Sequence, residues 1–313
     1  MNKKEKTIVL IVLMFLVFLN LPVWAEDEGM LAIESPVERM GVAKAKPAKD
    51  GLRIGLRLCG GMSFFDGGDI NDTKANVTLN EYMAGIDGVP YTIDENGLNR
   101  SLEGGADLLF YLGKRFGVSL GASYLGGKSN NRIVIDQPVF PPATYTITFD
   151  PAVSAVPVTL GLFFIQPLGK RFDLLAEVGG GWTLARLAID QKFIGSLGSM
   201  QINAKGNAGG PCIYARLGLE AGIGRSIFFF IEVLGRYAKI SGFEGSSEFF
   251  QNDILVQSGS GRFYTYDLNV SGHPVRFIDF AGEPPSSASI SNVSETRIDI
   301  SGVSARCGLR IRF

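Results

Sequence analysis

The chain has 313 residues, of which 46% are hydrophobic and 19% charged, with a formal net charge of −1. That balance leaves no basic footprint for nucleic acid, and its charged share is below the usual quarter or so of a soluble domain. Three cysteines, Cys59, Cys212 and Cys307, are too few for a disulfide framework and lack zinc spacing.

The N-terminus reads MNKKEKTIVLIVLMFLVFLNLPVWAEDE. Lys3, Lys4 and Lys6 precede an apolar run from Thr7 to Leu19, and Val23 and Ala25 supply small residues before Glu26. This predicts a signal peptide over 1–25, because a spanning helix needs about 20 apolar residues. Residues 26–50 are polar and carry Pro36 and Pro47, which predicts a periplasmic tail with no fold of its own. No later run is long and apolar enough for a helical span.

From residue 51 a period of two dominates, the mark of a strand. LRIGLRLCG (52–60) sets Leu52, Ile54, Leu56 and Leu58 against Arg53, Gly55, Arg57 and Cys59. LEGGADLLFYL (102–112) sets Leu102, Ala106, Leu108 and Phe110 against Glu103, Asp107, Leu109 and Tyr111. FGVSLGASY (116–124) and VPVTLGLFF (156–164) follow, then FDLLAEVGGGW (172–182) with Asp173 and Glu177 on its polar face. IYARLGLEAG (213–222) places Arg216 and Glu220 together. IFFFIEVLGRY (227–237) alternates least well, because Phe228, Phe230 and Leu234 interrupt the polar face of Glu232 and Arg236. GVSARCGLRIRF (302–313) alternates throughout, with Arg306, Arg310 and Arg312 opposite Val303, Ala305, Cys307, Leu309, Ile311 and Phe313.

These segments predict an all-β chain forming a transmembrane antiparallel up-and-down β-barrel of eight strands over 51–313, each near the 9–11 residues that cross a bilayer. Tight turns carry the repeat LGKRF at 112–116 and 168–172, with a looser IGRSI at 223–227. Long extracellular loops are predicted over 66–100, 127–153, 185–210 and 241–300. RFYTYDLNV (262–270) also alternates; it either forms a hairpin above the membrane with 275–280 or crosses and makes ten strands. Phe116, Phe172 and Phe313 at the short-turn end, with Tyr124, Trp182 and Tyr237 at the other, predict two interfacial girdles.

The inward face gathers Arg53, Arg57, Glu103, Asp107, Asp173, Glu177, Arg216, Glu220, Glu232, Arg236, Arg306, Arg310 and Arg312. A barrel of eight strands is just wide enough for side chains, so mixed signs predict an ion-paired plug. A narrow, gated pore is the competing reading. Cys59 falls on the inward face and Cys307 on the outward one, which predicts no disulfide between them. His273 and Ser271 lie near each other in the longest loop without a third orienting group, and no catalytic residue is assigned. DGGDINDT (66–73) clusters Asp66, Asp69, Asn71 and Asp72, but its spacing is not that of an EF-hand, and a solvated turn is expected there rather than a metal site.

The leader, the alternating strands and the terminal GLRIRF together resemble the small outer-membrane β-barrel families, such as the OmpA-type membrane domain and the OmpW-type barrels. Leu309, Ile311 and the terminal Phe313 look like the C-terminal signal of such proteins, which implies recognition by the barrel assembly machinery. The resemblance implies a location in the bacterial outer membrane among its lipids. The expected protein is a monomer without cofactor or enzymatic activity, with a structural or surface-binding role exerted through its long loops on an extracellular ligand of unknown identity. A narrow transport barrel for small or hydrophobic solutes and an outer-leaflet lipid-modifying enzyme are the alternatives.

Overall fold

The computed structural model describes residues 53–73, 90–94, 96–137, 143–169, 171–196, 198–224, 226–270 and 272–313. The leader read over 1–25, the tail read over 26–50, Lys170, Arg225 and Ser271 lie outside the described residues. The strands are β1 (Arg53–Phe65), β2 (Tyr91–Asp94), β3 (Arg100–Tyr111), β4 (Phe116–Lys128), β5 (Asn131–Gln137), β6 (Ala143–Pro167), β7 (Phe172–Gly195) and β8 (Gly198–Gly222). They continue with β9 (Ile227–Ile240), β10 (Glu244–Gln251), β11 (Ile254–Val270), β12 (His273–Ala281), β13 (Ile290–Glu295), β14 (Ile298–Asp299) and β15 (Gly302–Arg312). One short helix, α1 (Asp69–Asp72), follows β1.

Eight strands close into an antiparallel barrel in the order β1, β3, β4, β6, β7, β8, β9, β15 and back to β1. Closure is direct: Gly55 to Phe65 pair with Arg312 to Gly302 in one uninterrupted register. β11 and β12 pair as a hairpin outside this ring. The barrel therefore has eight strands and not ten.

The structure departs from the sequence reading above the barrel. Segments 127–153 and 185–210, expected as loops, are largely strand. β6, β7 and β8 run for 25, 24 and 25 residues, roughly 80 Å at about 3.3 Å per residue. They rise past the other five barrel strands and are joined there by β5 and β2 on one side. On the other side come β10, β11 and β12. The result is a raised, curled sheet on the same end as every long connection. At its tip Asn252 and Asp253 adopt φ of 50° and 63°, the backbone of a two-residue hairpin turn that Asn and Asp tolerate. Asn252 Oδ1 accepts from the Ser199 N–H at 2.9 Å and ties this hairpin to the β7–β8 tip.

Polarity inverts along these long strands. Low on β6 the exposed residues are Val158, Leu160 and Leu162. Higher up, the buried residues are Val153, Phe149 and Ile147, on the opposite face. β7 changes in the same way, from exposed Val178, Trp182 and Leu184 to buried Leu187 and Ile189. In the barrel the exposed apolar belt also includes Leu58, Met62, Leu108, Leu120, Ile213, Leu219, Ile231, Val233 and Leu309. Water-soluble monomers rarely expose a contiguous apolar patch beyond a few hundred Å²; a barrel wall facing hydrocarbon requires one.

Candidate functional site

The inward face of the barrel is arranged in layers. At the short-turn end Leu109, Tyr111, Phe163, Ile165 and Leu175 form a buried apolar cluster. Beside and above it lie ten buried charges: Arg57, Arg216, Arg236, Arg306 and Arg310 with Glu103, Asp107, Glu177, Glu220 and Glu232, of which Glu220 and Arg310 reach down beside the cluster to Asp173. Five positive and five negative groups cancel. Above them a larger apolar cluster fills the mouth, built from Phe65, Ile70, Leu98, Phe149, Leu187, Ile240, Phe243, Phe263, Ile298 and Ile300 among others.

Each charge in the middle layer meets an opposite one, either on the neighbouring strand, as in Arg216–Glu177 and Arg306–Glu232, or across the bore. Arg57, wholly buried, pairs with Glu232 and stands 3.7 Å from Glu177 and 4.0 Å from Asp107. Arg216 reaches Asp107 at 2.5 Å and Glu177 at 3.2 Å. Arg306 bridges Glu232 at 2.5 Å and Glu103 at 3.2 Å, and Arg236 meets Glu103 at 3.5 Å. Arg310 pairs with Glu220 at 2.6 Å and approaches Asp173 at 3.8 Å. Charge proximity outruns directed hydrogen bonding here, since Arg57 Nε and Glu220 Oε1 have no hydrogen-bond partner. Removing one member of such a network leaves its partner charged and buried, which is why these residues act as a unit.

Several members of the network were not singled out from sequence. Ser119 and Tyr214 hydroxyls each donate to Glu177 Oε1 at 2.6 Å. Ser304 donates to Glu103 at 2.6 Å, and Arg236 donates to Ser63 at 3.1 Å. The aromatic residues that spoil the alternation of β9 are guanidinium platforms. Arg57 lies 4.2 Å above Phe230, and Arg310 lies 4.3 Å above Phe228, a cation–π geometry. Gly161 makes room for this layer: a Cβ there would collide with Tyr214 Oη and stand 2.7 Å from Glu177 Oε1. The signal for all of these was their inward phase; their polarity alone gave none.

Of the remaining predicted lumen residues, Arg53 is exposed at the rim. Asp173 and Arg312 are half-buried there, with Arg312 4.9 Å above both Tyr111 and Phe228. Phe116, Tyr124, Phe172, Trp182 and Tyr237 are exposed on the outer wall. Leu309 is exposed there too, Ile311 is half-buried, and the Phe313 N–H donates to the Ile54 carbonyl at 2.8 Å. Cys59 and Cys212 border one inner cavity of about 20 Å³ with Glu103, Asp107, Arg216 and Arg306. All three cysteines are free, with Cys307 exposed outside.

DGGDINDT is not the solvated turn expected. It contains α1, and Asp69 is buried. Asp69 Oδ2 accepts from the Arg297 N–H at 2.7 Å and from the Thr265 hydroxyl at 3.3 Å, while Arg276 approaches Oδ1 at 3.5 Å. Asn71 Oδ1 accepts from the Leu98 N–H at 2.7 Å. These bonds clasp the first connection against the last one over the mouth. Among the described residues no group of three or more His, Cys, Asp or Glu side chains could hold a metal ion.

The raised sheet has its own apolar inner face. Ile133 and Ile147 are buried, with Ile93, Ile135 and Phe193 packed on them. Beyond them, Met200 and Ile202 remain 43% and 39% exposed. Tyr145 stacks on Phe193 with ring centroids 5.8 Å apart.

No family model matches the chain, and no curated protein matches it. Among solved structures it is similar to the crystal structure of the outer membrane protein OprG from Pseudomonas aeruginosa. The two are 12% identical, the match covers 84% of this chain and 94% of that one, and the TM-score is 0.31. The barrel assigned here rests on its own strand pairing.

Proposed function

We propose that this is an integral outer-membrane barrel of the small-barrel type, closed to solutes, whose raised sheet binds a ligand outside the cell. The observation that carries the reading is the filled lumen, in which a neutral set of ten buried charges, paired with one another across the bore, lies beneath an apolar cluster that fills the mouth. Such a filling occupies the bore with side chains and caps it with apolar ones at the mouth. The leader-like apolar run and the restriction of all long connections to one end support placement in an outer membrane with the sheet outside. The half-exposed Tyr145, Phe193, Met200 and Ile202 make the inner face of the sheet the natural contact for an extracellular ligand. The reading assigns no catalytic step to the chain.

Planar-bilayer recording tests the closed lumen. The protein should insert without discrete conductance steps, and a reproducible open channel would reject this reading in favour of transport.

A further inference from the structure

The outer wall carries a feature that the lumen does not explain. Beside the point where polarity inverts lies a groove of about 670 Å³, lined on the outward positions by Leu102, Gly104, Tyr124, Gly126, Lys128, Ala152, Ser154, Arg186 and Ala188, with the inward-phase Glu103, Gly127 and Val153 between them. Cross-strand registers fix its floor. Gly126 pairs with Ser154 and Ser154 with Arg186; one outward position higher, Lys128 pairs with Ala152, Ala152 with Ala188, and Ala188 with Lys205. Lys128 and Arg186 thus line a floor of two alanines and a serine, and Lys205 stands at its edge opposite Ala188. Small side chains make the floor a hollow, and long cationic stems can bend across it.

Its height on the barrel identifies the occupant. Leu184 and Trp182 lie one and two outward positions below Arg186 on β7, both exposed. Tyr124 lies two residues below Gly126 on β4, and its hydroxyl would stand 2.9 Å from a Cβ placed at Gly126, so the ring reaches up towards the hollow. Aromatic residues mark the interface, and cations just beyond them stand at the level of lipid phosphates. Arg186 and Lys205 have no ion-pair partner among the described residues, and Lys128 is 3.9 Å from Asp150 while staying largely exposed. The acids Asp150 and Asp190 face each other one outward position further from the belt. They bound the site from above and leave the hollow itself cationic.

We propose that Lys128, Arg186 and Lys205 bind the phosphate of a lipid in the outer-facing leaflet, whose acyl chains run down the wall past Tyr124, Leu102 and Leu184. Arg186 supplies a planar donor fork and the lysines supply point charges, the usual division between these side chains at a phosphate. The proposal rests on the membrane reading above.

Trp182, just below the site, is the reporter. The chain also has Trp24, so the measurement uses Trp24→Phe in nanodiscs of phosphatidylcholine. Quenching of Trp182 by bromine-labelled phosphatidic acid is compared with quenching by bromine-labelled phosphatidylcholine. The expected preference for phosphatidic acid is roughly ten-fold, falling to about one in Lys128→Gln/Arg186→Gln/Lys205→Gln. Should that triple variant fail to fold, Lys205→Gln alone should reduce the preference by roughly two- to three-fold. Arg171→Gln, at the opposite rim, should leave it unchanged. Equal quenching by the two lipids, a preference that survives the triple substitution, or a loss caused by Arg171→Gln would each overturn the proposal. Abolition of the preference by added inorganic phosphate would show a soluble-anion site and overturn the lipid assignment. Absence of quenching by either lipid would instead overturn the membrane reading.

Discussion

In their lower halves β6, β7 and β8 turn apolar residues outward and set Tyr214, Arg216 and Glu177 inward; in their upper halves the same strands turn Lys192, Asp190 and Lys205 outward and set Ile147, Leu187 and Ala204 inward. The backbone pairing runs through the change without a register shift. A period of two says that a segment is a strand. Its phase says which medium lies on each side. On the membrane reading proposed above, the surroundings of the wall change from hydrocarbon to water where the phase inverts, near Ser154, Arg186 and Asn207. The interior changes with them, from ion pairs to an ordinary apolar core.

The comparison can be broken most sharply inside the lower half. Arg57→Met leaves Glu232 and Glu177 without their central cation and should cost about 3–5 kcal/mol, read as a lower urea midpoint for the folded barrel in micelles. A change below 1 kcal/mol would mean that the charges are not a unit. In the upper half the corresponding weak point is apolar. Phe243, wholly buried in the mouth, should cost roughly 3–5 kcal/mol when changed to Ala, and the same substitution should increase protease cutting of the last connection. On the outer wall, Leu120→Arg puts a charge into the apolar belt and should cost roughly 2–4 kcal/mol. Ile254→Arg, on the exposed tip of the raised sheet, should be tolerated. If both arginines are tolerated equally, the belt does not face lipid. The smallest effect belongs to Arg262, whose contacts with Glu244 and Glu295 are exposed; Arg262→Met should leave the urea midpoint nearly unchanged.

The barrel was legible because an outward apolar face and an inward charged one alternate without gaps in segments such as 302–313. Apart from the 262–270 hairpin, the raised sheet was not, although Thr144 to Phe149 alternate equally well. Their apolar residues are in the opposite phase, and small residues at the crossover, Ala152, Ser154, Ala188 and Gly209, blur the switch. Serine and glycine in 245–247 and 258–261 hide β10 and the first half of β11 in the same way, because their pairing is a matter of backbone, whereas the alternation of 262–270 announces the β11–β12 hairpin. The lumen charges could be named from their phase, but not their partners, since Arg57 and Glu232 are 175 residues apart and meet only on closure. Phe228 and Phe230 interrupt the polar face of β9 in sequence, and their reason is visible only in the guanidiniums stacked on them. Asp69 looked like part of a solvated acidic turn because nothing local announces Arg297, Thr265 and Arg276.

Nitroxide scanning of the outward positions of β7 tests the inversion most directly, from Leu174 through Val178, Trp182 and Leu184 to Ala188, Asp190 and Lys192, in the protein reconstituted into bilayers. The account predicts collision with dissolved oxygen from Leu174 to Leu184, collision with a water-soluble nickel reagent from Ala188 to Lys192, and a crossover at Arg186. Uniform accessibility to the nickel reagent along the whole strand would contradict it.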